Sequence, residues 1–256
     1  MEAQARNHPT NPDRIAKEVR KLQKSIKGYQ FTGNSYAATV KISGQTQTLA
    51  MTWGDDTWGQ IGTGNDTNAD DFCAGTYTYV LTGPNTAVMT NTDIGMMSAL
   101  DTTNVSIINV TFTSATSANC TWTNDNVPGS ATLTLSHVKN LMPASIAGRT
   151  AKISVKGTPV TTVGFDSGGN FESSVVISST TYTSTGTYTF TQYSPTVAVL
   201  KRVWTAPANV VGDVQYAEAI FTSTTDGDIF GSYYNSLNLN LGSNPNVIGL
   251  GTFTTK

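Results

Sequence analysis

From residue 29 onward the chain alternates. In Thr76-Tyr77-Thr78-Tyr79, Val105-Ser106-Ile107, Thr132-Leu133-Thr134-Leu135, Lys152-Ile153-Ser154-Val155 and Thr187-Tyr188-Thr189-Phe190, β-branched or aromatic residues take turns with small polar ones. A period of two sends successive side chains to opposite faces, so each segment is predicted as a half-buried strand. Clusters of Gly, Pro, Asn and Asp bound these runs and read as turns. Short strands at regular spacing predict an antiparallel β-sandwich or β-barrel.

A different period governs the N-terminus. Ile15, Val19, Leu22 and Ile26 recur at spacings of four, three and four, which makes one apolar stripe on an α-helix. Asn11 is placed to cap that helix, Pro12 fits its first position, Asp13 suits its positive end and Gly28 stops it. Arg14 stands in its first turn, and Lys17, Arg20, Lys21, Lys24 and Lys27 take the faces away from the stripe. The prediction is a basic amphipathic helix of about four turns.

The β part repeats itself. Gly75-Thr76-Tyr77-Thr78-Tyr79 returns as Gly186-Thr187-Tyr188-Thr189-Phe190, 111 positions later. Pro84 and Ala87-Val88-Met89 map at the same offset onto Pro195 and Ala198-Val199-Leu200. Phe112-Thr113-Ser114 returns as Phe221-Thr222-Ser223 at offset 109, and Ile42-Ser43-Gly44-Gln45-Thr46 as Ile146-Ala147-Gly148-Arg149-Thr150 at offset 104. Matched blocks in the same order indicate an internal duplication. Each copy is expected to open with a strand after Ile-x-Gly-x-Thr, to turn at Pro84 or Pro195 and to close with the Phe-Thr-Ser strand. Asn140-Leu141-Met142-Pro143 breaks the pattern between the copies. The expected architecture is therefore all-β: a helical arm at 1–28, a first antiparallel β-module at 29–140 and a second at 141–256. The alternative is a single jelly roll over residues 30–256, with the repeat a coincidence.

The same blocks carry a resemblance. Gly75-Thr76-Tyr77-Thr78-Tyr79, Thr82-Gly83-Pro84-Asn85-Thr86-Ala87, Phe112-Thr113-Ser114-Ala115-Thr116-Ser117 and the opening Ile146-Ala147-Gly148-Arg149-Thr150 resemble short Thr/Gly-rich β-repeats of large surface proteins of environmental bacteria. The resemblance covers roughly residues 40–235 and implies a β-module with no assigned reaction. The basic helix has no place in it.

Charge changes this picture in one respect. Only 12% of residues are charged, with Thr, Ser, Asn and Gly in their place, a surface common in extracellular and virion proteins. Residues 1–28 hold seven cations against three acids, and the rest of the chain holds eight against fourteen. That asymmetry points to an arm with an anionic partner, nucleic acid among them, or equally to a solvated helix face. No apolar run is long enough for a transmembrane helix, and the first residues lack the apolar core of a signal peptide. Virion, extracellular medium or cell surface is the expected location.

Candidate chemistry is sparse. The two histidines, His8 and His137, have no Gly-x-Ser-x-Gly nucleophile to serve, and neither a P-loop nor an H-E-x-x-H motif occurs. No catalytic residue is assigned. Asp66, Asn68 and Asp70 stand two apart, as oxygens around Ca²⁺ do in a turning loop, yet no Gly or closing Glu follows. Calcium is thus the single cofactor considered, against a plain solvated loop. Trp53 and Trp58 flank Asp55 and Asp56, where aromatic rings with acids beside them can hold a sugar, although β-protein tryptophans are more often core. Cys73 and Cys120 are a candidate disulfide or two buried free thiols. The function these features favour is a non-enzymatic structural protein that self-assembles into a homo-oligomer, as a virion coat, particle coat or surface layer. A secreted or surface β-barrel binding a small ligand or glycan through residues 53–71 is the rival.

Overall fold

A computed structural model describes residues 34–42, 45–54, 56–62, 73–93, 105–114, 116–124, 127–155, 158–234 and 246–256. The basic arm, with Arg14, Lys17, Arg20, Lys21, Lys24 and Lys27, lies outside the described residues, as do the predicted helix that carries it and the loop bearing Asp66, Asn68 and Asp70.

The described residues form two closed barrels of eight strands each. The first comprises β1 (Asn34–Ile42), β2 (Gln45–Trp53), β3 (Thr57–Gly62), β4 (Cys73–Leu81), β5 (Thr86–Asp93), β6 (Val105–Ser114), β7 (Ser117–Asn124) and β8 (Val127–His137). The second comprises β9 (Thr150–Val155), β10 (Thr161–Phe165), β11 (Asn170–Ile177), β12 (Thr180–Gln192), β13 (Val197–Ala206), β14 (Val214–Phe221), β15 (Asp226–Tyr234) and β16 (Asn246–Thr255). Every pairing is antiparallel between sequence neighbours, and β1 pairs β8 and β9 pairs β16 to shut each ring. This is up-and-down topology, and closure leaves no strand edge free. A single jelly roll is thereby replaced by two separate rings.

Alternation builds the cores. Along β6, Ile108, Val110 and Phe112 are buried while Asn109 and Thr111 are exposed. Eight strands enclose a space that side chains can fill. Trp53, Trp58, Met89, Val110 and Leu133 pack inside the first barrel, and Val163, Phe165, Phe171, Leu200 and Phe253 inside the second. Large and small residues share the space. A Cβ on Gly129 would stand 2.2 Å from the Trp122 indole, so glycine there leaves room for the ring.

The duplication is visible rung by rung. Gly75 and Gly186 stand on the fourth strand of their barrels, facing Asp93 and Trp204 on the fifth. The Thr82–Asn85 and Tyr193–Thr196 turns carry the same backbone bonds: Thr82 N and Gly83 N donate to Thr86 O, and Tyr193 N and Ser194 N to Val197 O. Phe112 N donates to Asn85 O, as Phe221 N does to Thr196 O. Both proline turns fall where expected. The fourth block does not match. Ile42 ends β1 and Gln45 and Thr46 open β2, whereas Ile146–Thr150 leads into β9, and the ladders equate Tyr36, opposite Leu135, with Ala151, opposite Thr255. That block is shared turn chemistry. Nor is the Phe-Thr-Ser strand the closing one, since two more strands follow it in each barrel.

Between the barrels, Leu141 and Met142 pack on the second core and Ile146 is buried in it. Leu141 N also donates to Pro195 O at 3.0 Å.

Candidate interaction surfaces

Trp53 and Trp58 are 0% and 3% exposed. They pair across the β2–β3 hairpin with both rings in the first core. Neither offers an open face, so the expectation of sugar stacking on them is overturned: as cross-strand partners the two rings share one face of the sheet, and ring closure makes that face the core. Asp56 is exposed, and Asp55 lies outside the described residues. Cys73 and Cys120 are not joined by a disulfide. Burial pushes the Cys120 thiol up to about 12, the mark of an inert core cysteine. His137 ends β8, opposite Asn34. Among the described residues no three of His, Cys, Asp and Glu gather closely enough to hold a metal ion, and no helix is long and apolar enough to cross a membrane.

The structure brings forward residues that pattern reading passes over. Each barrel carries polar side chains inside, at equivalent rungs. Tyr77 and Asn91 pair across β4 and β5, and Tyr188 and Arg202 across β12 and β13. The tyrosine hydroxyls donate to backbone oxygens of the β2–β3 and β10–β11 turns, Tyr77 to Gly54 O at 3.1 Å and Tyr188 to Asp166 O at 2.8 Å. Arg202 is 6% exposed, with its guanidinium 5.2 Å from the Phe171 ring and 5.1 Å from the Trp204 ring. Its Nε donates to Gln215 Oε1 at 2.9 Å, Nη2 donates to the same oxygen, and Nη1 has no partner. Burial pulls this guanidinium down to about 10.

One rung above Asn91, Asp93 is half-buried where the second barrel has Trp204, and burial pushes its carboxyl from 3.8 up to about 6. A raised carboxyl pKa means that ionisation opposes folding. Stability is then greatest below about 4, falls as pH rises from about 4 to 6, and stays lower above. Asp93→Asn is expected to stabilise the protein at pH 7 by up to about 3 kcal/mol and to leave it nearly unchanged at pH 4. Urea midpoints of the two proteins at both pH values check this, and an equal gain at both would refute it.

Two outer surfaces stand out. The first is one rim of the second barrel. The turn Ser178-Ser179, with positive φ at both residues, joins β11 to β12 in a two-residue hairpin. The hairpin outruns its neighbours, because β10 pairs β11 only as far as Val175 and β13 pairs β12 only from Thr185. Val176, Ile177 and Tyr182 are 57%, 46% and 53% exposed. Val160 and Val211, in the β9–β10 and β13–β14 connections at that same end, are exposed too.

The second surface is the joint between the barrels. The β12–β13 turn and the outer face of β13 dock on the outer face of β2, β3 and β4. Thr52 Oγ1 and Ser194 Oγ share a hydrogen bond at 2.5 Å, and Thr196 Oγ1 donates to Thr52 Oγ1 at 3.3 Å. A Cβ on Gly59 would meet Val197 Cγ1 at 2.5 Å, so glycine is what admits that valine. Ala74 packs against Val199, with Tyr193 and Tyr216 beside them. On the second barrel's outer face Glu218 stands between Val199 and Phe230, is 0% exposed, and both its carboxylate oxygens lack a partner.

These features define an all-β protein of two closed antiparallel barrels. No family model matches the chain. No curated protein is significantly similar to it. Among solved structures, one titled a "putative outer membrane protein" of Bacteroides fragilis aligns over 90% of this chain and 98% of its own. The identity is 8% and the TM-score 0.24, and at that score the likeness carries nothing over to this chain.

Proposed function

We propose that this chain is a non-enzymatic structural protein that assembles with copies of itself, as a particle coat, virion coat or surface layer. The observation that carries this reading is the apolar rim. A protruding hairpin that exposes Val176, Ile177 and Tyr182 beside Val160 and Val211 costs solubility unless something covers it. Closed rings leave no edge for strand addition, so association falls to such outer surfaces. The rival ligand-binding reading has lost its two aromatic platforms, Trp53 and Trp58. The basic arm would neutralise nucleic acid or another polyanion, which predicts salt-sensitive co-purification that deletion of residues 1–28 abolishes.

The test is solution mass by light scattering across concentration. The wild type is expected to rise well above 27.1 kDa. The triple variant Val176→Ser, Ile177→Ser, Tyr182→Ser is expected to lower the weight-average mass several-fold at equal concentration. A wild type that stays monomeric at every concentration and salt would sink the reading.

A further inference from the structure

Within each ring the strands are paired on both sides, but one hairpin runs past its ring. β11 and β12 stay paired with each other up to Ile177 and Thr180, while β13 joins β12 only from Thr185. The segment Thr180-Thr181-Tyr182-Thr183-Ser184 therefore has β11 on one side and, among the described residues, no strand on the other. Thr180, Thr181, Tyr182 and Thr183 are all exposed, so the open side is also uncovered. Antiparallel partners alternate between residues that exchange their backbone bonds and residues that turn theirs outward. Tyr188 N donates to Gly169 O at 2.8 Å, which sets that alternation for the β11–β12 ladder. Counted along the register from there, Thr180, Tyr182 and Ser184 bond back to β11. Thr181 and Thr183 turn N–H and C=O to the open side.

Nothing guards this edge. Free strand edges are ordinarily protected by a charge, a proline or a bulge. Residues 173–184 contain no charged residue and no proline, and their register runs unbroken to the turn. Thr and Tyr also favour strands. The edge is self-complementary as well. Thr181 and Thr183 stand on either side of Tyr182, so a second copy laid antiparallel, Tyr182 opposite Tyr182, sets Thr181 opposite Thr183 twice. Each such pair exchanges two hydrogen bonds, which satisfies every outward N–H and C=O of both residues in both chains. Other registers do worse. Two residues toward the barrel, Thr181 meets Thr185, which β13 already holds. Two residues toward the tip, Thr183 meets Ser179, which lies in the turn with positive φ.

We infer that the Thr180–Ser184 edge of one copy of this chain pairs antiparallel with the same edge of a second copy, about a two-fold axis at Tyr182. The inference rests on the self-assembly reading and specifies one of its contacts. The side chains suit the register. Tyr182 faces Tyr182 in a non-hydrogen-bonded pair, the kind in which side chains come closest. Within each chain Tyr182 is paired with Val175, so two copies line up Val175, Tyr182, Tyr182 and Val175 in one row over four strands. Ile177 lies diagonal to Tyr182 on that same face. Tyr182 and Ile177 are 53% and 46% exposed in the single chain, and the row shields both. On the other face Thr181 meets Thr183, and no like charges meet along the contact. Because each copy offers the same edge, the contact is isologous and closes at two chains. It supplies the paired unit of an assembly, and growth beyond two falls to other surfaces.

Cysteine cross-linking in the full-length protein tests the pairing and its register with Tyr182 left in place. Chains with Thr181→Cys mixed with chains with Thr183→Cys are expected to link on oxidation into a product of two chains. Facing Cα atoms in such a pair lie about 5.5 Å apart, within disulfide reach. Either variant alone is expected to link at least tenfold more slowly, since like positions then stand two residues out of step. Wild type oxidised in parallel is expected to stay unlinked, because Cys120 is buried and Cys73 half-buried. Thr183→Pro removes an outward N–H that bonds nothing within the chain, so it is expected to keep the fold and to weaken association at least tenfold. No linked product from the mixture, with the wild-type mass still rising with concentration, would overturn this contact and leave self-assembly standing. A monomeric wild type with no linked product would overturn both. Single variants that link as fast as the mixture would refute the two-fold register, and a folded Thr183→Pro that associates as well as wild type would refute the strand pairing.

Discussion

Replacing Trp53 by alanine is expected to cost the first barrel about 3–5 kcal/mol, the usual range for truncating a fully buried large aromatic. Trp53 is 0% exposed and pairs with Trp58 on the next strand in the middle of the core. With a ring of eight strands around it, the cavity cannot collapse without moving strands that are locked on both sides. Small domains hold only about 5–15 kcal/mol in all, so the loss is a large share. Trp204 is the second barrel's one tryptophan, while Trp53, Trp58 and Trp122 all belong to the first. Urea unfolding of Trp53→Ala should therefore move the first barrel's transition to much lower urea and the Trp204 signal far less. A midpoint change worth under about 1 kcal/mol would mean that the tryptophan is not packed as described. The same result bears on function, because a surface tryptophan in a sugar site would barely affect stability when removed.

The second large effect lies at the joint. Glu218 is a carboxyl taken wholly out of water, between Val199 and Phe230, with neither oxygen bonded. Burial raises its pKa well above the ordinary 4.5. Since the folded value is the higher one, ionisation opposes folding. The stability Glu218 allows is fully present below about 4.5 and is lost progressively as pH climbs toward the folded value, at up to about 1.4 kcal/mol per pH unit. Glu218→Gln keeps the shape and cannot ionise. It is expected to match the wild type near pH 4 and to become steadily more stable than it at higher pH, by several kcal/mol where the wild-type carboxyl is charged. Thermal or urea unfolding from pH 4 to pH 9 measures this. Asp93→Asn is the internal comparison, because its gain is complete by about pH 6. If Glu218→Gln were uniformly less stable at every pH, the carboxyl would be making contacts that hold the joint.

Much of the local structure was legible in the residues. The five alternating segments lie on β4, β6, β8, β9 and β12. A period of two needs no tertiary knowledge to read, because a strand with one wet face must alternate. Pro84 and Pro195 sit in hairpin turns for an equally local reason, since proline cannot donate to a ladder. Three of the four matched blocks occupy equivalent rungs, because a strand with its flanking turn carries its register within itself. The fourth block, Ile42–Thr46 against Ile146–Thr150, failed because Gly and Thr at a bend are used wherever a chain turns.

What the residues left undecided is which face points where. Trp53 and Trp58 read as a possible binding pair because Asp55 and Asp56 lie between them, yet both rings go inward, and a one-residue slip of register would have sent them out. Thr52, Gly59 and Ala74 look like ordinary solvent-side residues. Only the docking of β13 on them shows otherwise. Glu218 likewise sits in an alternating strand at a position that pattern alone assigns to water. Alternation reports that a strand has two faces. Ring closure by β1 with β8 and by β9 with β16 decides which face is the core, and the contact of one ring with another decides which outer face is dry. Both depend on surfaces meeting across long stretches of chain, a matter of shape that no local period encodes.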